Sequence, residues 1–384
     1  MSASPARPRL LILSFSPIER DARVLKQVTH FARNYEVVTC GYGDAPAGSS
    51  RHLRIADDAP WSERRREWLV LRQYARIYWQ SAAVRAAQAL LHDEPRFDVV
   101  LANDIDTVGL ALSLEPRGGV HADLHEYAPR LNDEFVTWRL FVAPYVRWQC
   151  RRFARHAASV TTVGQGIADE YLRVFGIKAS VATNAAPHQP HLSPTPVGSP
   201  MRIVHSGAAL RNRGIDEIIA AVEASTTSVS LDLYLMPNDV GYLDRIREAV
   251  AGSSRVTLHE PVPYAELATT LSTYDLGIHV IPPVSFNNRW ALPNKFFDYV
   301  QARLGIIIGP SPEMARTLVE HDLGVVAAGF GADDIRHTLD ALTPERVATW
   351  KQRAHEAAAA LSAEQQIMVW DAAVAALTER GAAA

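Results

Sequence analysis

A chain of 384 residues, 48% hydrophobic and 21% charged, is long enough for two or three domains, and its composition excludes disordered, fibrous and collagen-like classes. Cys40 and Cys150 are its only cysteines, too few for a disulfide framework or a cysteine-based zinc site. The formal net charge of -3 is uneven: residues 1–185 hold 24 Lys plus Arg against 20 Asp plus Glu (+4), and the remainder holds 15 against 22 (-7). No zinc-finger, RNP or basic-region pattern accompanies the basic half, so nucleic acid is not an expected partner.

In chain order, the start "MSASPARPRLLILSFSPIERDARV" has an apolar run of only a few residues before charge returns. Neither a signal peptide nor a membrane span is expected from it, which places the chain in the cytoplasm. "RLLILSF" (9–15) then reads as a strand, "DARVLKQVTHFARN" (21–34) as an amphipathic helix, and "YEVVTCGY" (35–42) and "FDVVLAND" (97–104) as strands. That alternation predicts a parallel, doubly wound sheet. "ASVTTVG" (158–164) and "SVATN" (180–184) continue it. "APHQPHLSPTPVGSP" (186–200) is proline-dense with almost no branched apolar residue and predicts a linker and hinge.

A second α/β series follows, with strands expected in "MRIVHSG" (201–207), "SLDLYLM" (230–236), "RVTLHEP" (255–261), "LGIHVIP" (276–282) and "LGIIIGP" (304–310). The Ala-rich stretch from Pro344 onward predicts helix long enough to cross back to the first domain. The expected domains are 1–185, a linker at 186–200, 201–355, and a C-terminal helix at 356–384. Two open α/β domains in series lead one to expect an active site in a cleft between the carboxyl ends of their strands.

Several short segments carry candidate chemistry. In "ALPNKFFDYVQARLGIIIG" (291–309), Pro293 marks a helix start, so Asn294 and Lys295 fall where backbone N–H groups have no helical partner, an arrangement that attracts anions. Asp298, one turn on, can accept hydrogen bonds from sugar hydroxyls. "SGAALRNRG" puts Gly207 at a strand-to-helix turn with Arg211 and Arg213 on the loop, offering N–H groups and guanidinium to phosphate.

In the first half, His125 of "DLHEYAPR" follows a strand and is flanked by Asp123 and Glu126. Glu126 can orient the imidazole or hold an acceptor hydroxyl. Asp104 and Asp106 of "NDIDTVG" superficially resemble a metal-binding Asp-x-Asp pair, but Asp104 can equally cap the next helix, and no metal site or cofactor is expected. Glu19, Asp21 and Arg23 of "SPIERDARV" can bind a polar acceptor, with Asp21 equally an N-cap. The segments 63–79 and 135–156 mix Trp, Tyr and Phe with arginines. They read either as core helices with snorkelling arginines or as a peripheral contact with the inner face of a membrane.

Taken in order, "DVVLANDIDTVGLAL", "DLHEYAPR", "TTVGQGIADEYLRVFGI", "IVHSGAALRNRGIDEIIAAV" and "WALPNKFFDYVQARLGIIIG" resemble the successive motifs of a bacterial family 4 glycosyltransferase. The resemblance spans nearly the whole chain. It implies two Rossmann-like domains facing each other across a cleft, the GT-B arrangement, and metal-independent transfer of a sugar, with retention, from a nucleoside-diphosphate sugar. The acceptor would be a carbohydrate, a lipid-linked molecule or a small molecule, in surface polysaccharide, glycolipid or natural-product glycan synthesis. It implies catalytic roles for His125 and Glu126 and donor contacts from Gly207, Arg211, Arg213, Asn294, Lys295 and Asp298. Glu19, Asp21 and Arg23, in a loop that lacks the paired glycines of many relatives, and Asp104 stand as acceptor-side candidates on their own residue types.

The chain departs from the family pattern at Trp290, where the first of two paired glutamates is usual, and at Arg303 and Leu304, where small residues are usual. A nucleotide-sugar epimerase, or a binding protein that has lost catalysis, are the alternatives.

Overall fold

The structure is a computed structural model and describes residues 7–383. Residues 1–6 and 384, which belong to the start read above, to the expected first domain and to the expected C-terminal helix, lie outside the described residues. The chain folds as two compact units, Met1–Ala182 with Ile367–Ala384, and Thr183–Gln366.

The first unit is built on β1 (Arg9–Pro17), β2 (Glu36–Tyr42), β3 (Arg51–Arg54), β4 (Val99–Asn103), β5 (Gly119–Leu124), β6 (Ser159–Thr162) and β7 (Ser180–Val181). They form one parallel sheet in the order β3-β2-β1-β4-β5-β6-β7. The central strand β4 is buried throughout and β1 from Leu10 to Ser14, which is why they read as unbroken apolar runs rather than alternating ones. Leu10, Ile12, Val99 and Leu101 supply one face of the core. The helix Ala22–Phe31 covers that face with Val24, Val28 and Phe31, and the helix Ala363–Ala383 with Trp370, Val374 and Leu377. The C-terminal helix therefore packs on the first unit, as the sequence predicts.

The second unit repeats the design with β8 (Met201–Ala208), β9 (Val229–Met236), β10 (Val256–His259), β11 (Leu276–His279), β12 (Gly305–Ile308) and β13 (Gly324–Val326). All are parallel, in the order β10-β9-β8-β11-β12-β13. The expected fold class, two parallel α/β sheets, is borne out. The sequence reading misses β3 and β13, which are only four and three residues long, and places β5 only as the strand before His125.

Residues 186–200, expected as a linker, belong to the second unit. Ala185 and Ala186 are in its core, and Lys351, itself buried, donates from Nζ to Thr195 Oγ1 at 2.9 Å, to the Tyr274 carbonyl at 2.8 Å and to Asp275 at 3.1 Å. Arg303 accounts for one departure from the family pattern. Its buried guanidinium donates to the Gln189 carbonyl at 2.7 Å, to the Gln301 carbonyl at 2.7 Å and to His355 Nδ1 at 3.1 Å, pinning the proline-dense segment where a small residue would leave those carbonyls bare.

Candidate functional site

In both sheets the strand order reverses once, between β1 and β4 in the first and between β8 and β11 in the second. At such a switch point successive loops leave in opposite directions and open a crevice beyond the strands' carboxyl ends. The candidate residues collect at these two places.

In the first unit the crevice is a cavity of about 500 Å³. Its lining includes Ser16 near the end of β1, Asn103 closing β4 and Asp104 after it, His125 and Glu126 after β5, and Trp61, Arg64, Leu131 and Trp138 from further along the chain. His125 Nε2 lies 3.2 Å from Asn103 Oδ1 and 3.5 Å from Asp123 Oδ2, and Nδ1 lies 3.4 Å from Asp104 Oδ2. Burial draws the imidazole pKa down, but Asp104 and Asp123 outweigh it and hold it above the usual value.

The cradle under this ring is fixed by hydrogen bonds. Asp123, with no exposed surface, accepts from Arg23 Nε at 2.8 Å and Nη2 at 2.7 Å, from Gln27 at 2.8 Å and from Thr161 at 2.7 Å. Burial alone would raise its pKa; the Arg23 guanidinium reverses that and holds the carboxyl well below the usual range. Gln27 Oε1 in turn accepts from Asn103 Nδ2 at 2.9 Å, which leaves Asn103 Oδ1 turned to His125. Beneath, His121 Nε2 lies 3.0 Å from Thr161 Oγ1; burial pulls this histidine down to about 4, so it stays neutral.

Asp104 has φ of 63° and ψ of 160°, left-handed backbone that costs a non-glycine residue roughly 1–3 kcal/mol and is concentrated at functional sites. The expected cap is absent: its side chain makes no cap hydrogen bond and instead accepts from the His125 backbone N–H at 3.3 Å. Asp106 is engaged apart from it, with Gln149 at 3.0 Å and Arg64 at 3.8 Å.

In the second unit Gly207 near the end of β8, the turn Arg211–Arg213 and the helix Asn294–Gln301, whose N-cap is Pro293, follow the carboxyl ends of the strands. Gly207 has φ of 140°, and a Cβ there would stand 2.5 Å from Lys295 Nζ, so the glycine is what lets the lysine approach the strand end. Lys295 Nζ donates to no acceptor among the described residues. Burial pulls its pKa down to about 7, with Arg213 pushing the same way and Asp298 partly opposing.

His205 and His279 lie behind this cluster with ring centroids 5.9 Å apart. His205 Nδ1 donates to the Ile278 carbonyl at 2.8 Å, whereas His205 Nε2 and both nitrogens of His279 are buried without a partner among the described residues. Burial first, then Lys295, holds both rings neutral. Lys295 and Arg213 beside one carboxylate, Asp298, form a cluster suited to an anion, to which the neutral imidazoles add no charge.

No protein-family model and no curated protein matches the sequence. Solved structures do match along nearly the full length. Sucrose-phosphate synthase from Thermosynechococcus elongatus is similar at TM-score 0.72 and 14% identity, over 96% of this chain and 100% of that one. Anabaena HepE in complex with UDP and glucose is similar at TM-score 0.71 and 12% identity, over 96% and 100%. WaaG, a glycosyltransferase involved in lipopolysaccharide biosynthesis, is similar at TM-score 0.60 and 12% identity, over 91% and 95%. The fold is GT-B.

Within this GT-B fold the structure brings together His125 and Asp104 in one unit, with Glu126 exposed on the same cavity wall. In the other unit it gathers Gly207, Arg213, Lys295 and Asp298, with Asn294 exposed at the helix start. Asp298 is 7% exposed and accepts from the Tyr264 hydroxyl at 3.4 Å.

Three expectations are corrected, and for Asp21 the N-cap alternative holds. Arg23 is buried against Asp123 and under the Trp370 ring, 4.6 Å from its centroid, and is a structural support rather than an acceptor contact. Asp21 is the N-cap of the helix Ala22–Phe31, accepting from the Arg23 and Val24 backbone N–H groups. Glu19 lies against Gly43 and beside Arg20, outside the cavity lining. Arg211, largely exposed, pairs with Asp239 at 3.3 Å and lies over Tyr242 instead of joining Lys295.

The residues missed by sequence reading, Gln27 and Asn103, sit one helix turn beyond Arg23 and directly before Asp104. Only the polar character of Asn103 at the end of an apolar strand marks either of them.

Proposed function

We propose that this protein transfers a sugar from a nucleoside-diphosphate sugar to an acceptor hydroxyl, with retention, without a metal, in surface polysaccharide, glycolipid or natural-product glycan synthesis. The observation that carries the reading is the Lys295–Arg213–Gly207 cluster, cationic groups at the switch point of a GT-B sheet with no acceptor bonded to the lysine among the described residues.

In this reading the diphosphate lies against Lys295, Arg213 and the opening N–H groups of the helix Asn294–Gln301, which stabilise charge on the leaving group as the glycosidic bond breaks. Asp298 holds ribose hydroxyls. His125 donates a hydrogen bond to the donor sugar from an imidazolium kept charged by Asp104 and Asp123, and the acceptor hydroxyl enters the 500 Å³ cavity beside it. The structural likeness to HepE, solved with UDP and glucose, supports a uridine nucleotide as the first to try.

The test is a thermal-shift screen of nucleotide sugars followed by transfer assays with the one that binds. A concentration-dependent rise in melting temperature, and turnover that survives EDTA, are expected. If no nucleotide sugar raises the melting temperature, the proposal fails. If EDTA abolishes turnover and a divalent cation restores it, the metal-free part fails, and Asp104 with Asp106 becomes the place to look.

A further inference from the structure

Among the described residues sixteen large apolar side chains are exposed, and eight of them, Trp61, Val70, Leu71, Leu131, Phe135, Val136, Leu140 and Phe141, fall in two stretches of eleven residues each, 61–71 and 131–141. The stretches are neighbours in space, because the helix Arg66–Val70 packs against the π-helical turn Trp138–Val142, in which no residue is buried. Phe135 and Leu140 are 59% and 62% exposed, so the chain itself leaves this apolar face uncovered.

The face is also cationic. Residues 61–76 and 130–147 hold eight arginines against four carboxylates, and Arg65, Arg66, Arg72, Arg76, Arg139 and Arg147 are exposed. Arg65 and Arg76 lie over the Trp68 ring, 4.8 and 4.5 Å from its centroid, which splays guanidinium groups along the rim. A protruding apolar turn ringed by arginine suits a surface that is apolar inside and anionic outside, where the rings enter the headgroup boundary and the guanidinium groups meet phosphates. No helix among the described residues is long and apolar enough to cross a bilayer, so the contact this face can make is peripheral.

We infer that this face docks the protein on the surface of an anionic lipid bilayer. The same two stretches supply Trp61, Arg64, Leu131 and Trp138 to the wall of the His125 cavity, so docking sets the cavity mouth at the headgroup level. Under the glycosyl-transfer reading, on which this consequence rests, the acceptor is then presented by a lipid. The core-helix alternative holds for Ile77, Tyr78, Tyr145 and Val146, which are buried, but not for the turn that faces outward.

The test is co-sedimentation of the full chain with vesicles of phosphatidylcholine alone and of phosphatidylcholine mixed with phosphatidylglycerol. The protein should pellet with the mixed vesicles and stay in solution with the neutral ones. The variants F135S/L140S and R66E/R139E, whose side chains are exposed and outside the cavity lining, should each partition less by on the order of tenfold. Both should keep the melting temperature and its rise with nucleotide sugar, so loss of docking is read separately from loss of donor binding. Wild-type protein that ignores anionic vesicles, or variants that pellet equally, would overturn the inference. So would a concentration-dependent dimer in solution that F135S/L140S dissolves, since a second copy would then be what covers the face.

Discussion

Lys295 offers the sharpest test of the second-unit site, because its ammonium is asked to bind an anion from a place that disfavours its charge. Its pKa stands at about 7 against an ordinary 10.5, lowered by burial and by Arg213. A bound diphosphate supplies the missing negative charge and restores the protonated form, so binding above pH 7 must take up a proton. At pH 8.5 the free site is only about 3% protonated, and recharging it costs about 2 kcal/mol, or about thirtyfold in affinity relative to pH 6. Above the pKa the affinity should fall by about tenfold per pH unit.

His205 and His279 are held neutral in this window, so neither imidazole contributes the same slope. The ligand must be a nucleotide sugar, whose esterified diphosphate does not titrate here, rather than the free diphosphate. Calorimetric titration in buffers of different ionisation enthalpy reads both affinity and proton uptake, expected to approach one proton at pH 8.5. Lys295→Arg, charged throughout, should bind with little pH dependence. Flat affinity between pH 6 and 8.5 in the wild type, or an equal slope in Lys295→Arg, would refute the argument.

His125→Ala should lower kcat by about a hundredfold or more while moving the donor affinity little, because its hydrogen bond matters as charge develops; equal turnover in a steady-state assay would remove it from the mechanism. Since its folded pKa is raised, activity that depends on the imidazolium should be present at low pH and lost as pH rises through that raised value, a limb that His125→Ala abolishes. Asp123→Asn leaves the buried Arg23 guanidinium without its bidentate partner and should destabilise the first unit by about 3–5 kcal/mol, read as a fall in melting temperature; an unchanged melt would show that the Asp123–Arg23 pair does not support the cradle.

The sequence by itself determined the local order of the chain. The apolar runs of β1, β4, β8 and β12 were legible because strands covered on both faces need little but branched aliphatic residues, and Pro293 marked the start of its helix because proline at a helix entrance forfeits no hydrogen bond. Short motifs likewise point to His125 and Asp104, since a polar residue at the end of an apolar strand is placed at the mouth of a parallel sheet whatever surrounds it, and to Gly207 and Lys295 as a strand-end glycine and the opening of a helix.

Which neighbours those residues meet was settled only by the tertiary structure. Arg23 and Asp123 are 100 residues apart along the chain, and nothing local distinguishes an arginine that will reach acceptor from one that will be buried against a carboxylate. Asp104 could cap its helix or turn to His125, and its left-handed backbone, held by the surrounding sheet, turns it to His125. The proline-dense segment looked like a free linker because its composition lacks core-forming residues. It is fixed instead by Lys351 and Arg303, 156 and 114 residues further on, whose buried charges need the carbonyl and hydroxyl oxygens that such a segment leaves open. Pairings of this kind depend on long-range closure of the chain, and the energy of a buried charge is decided by the partner that closure brings to it.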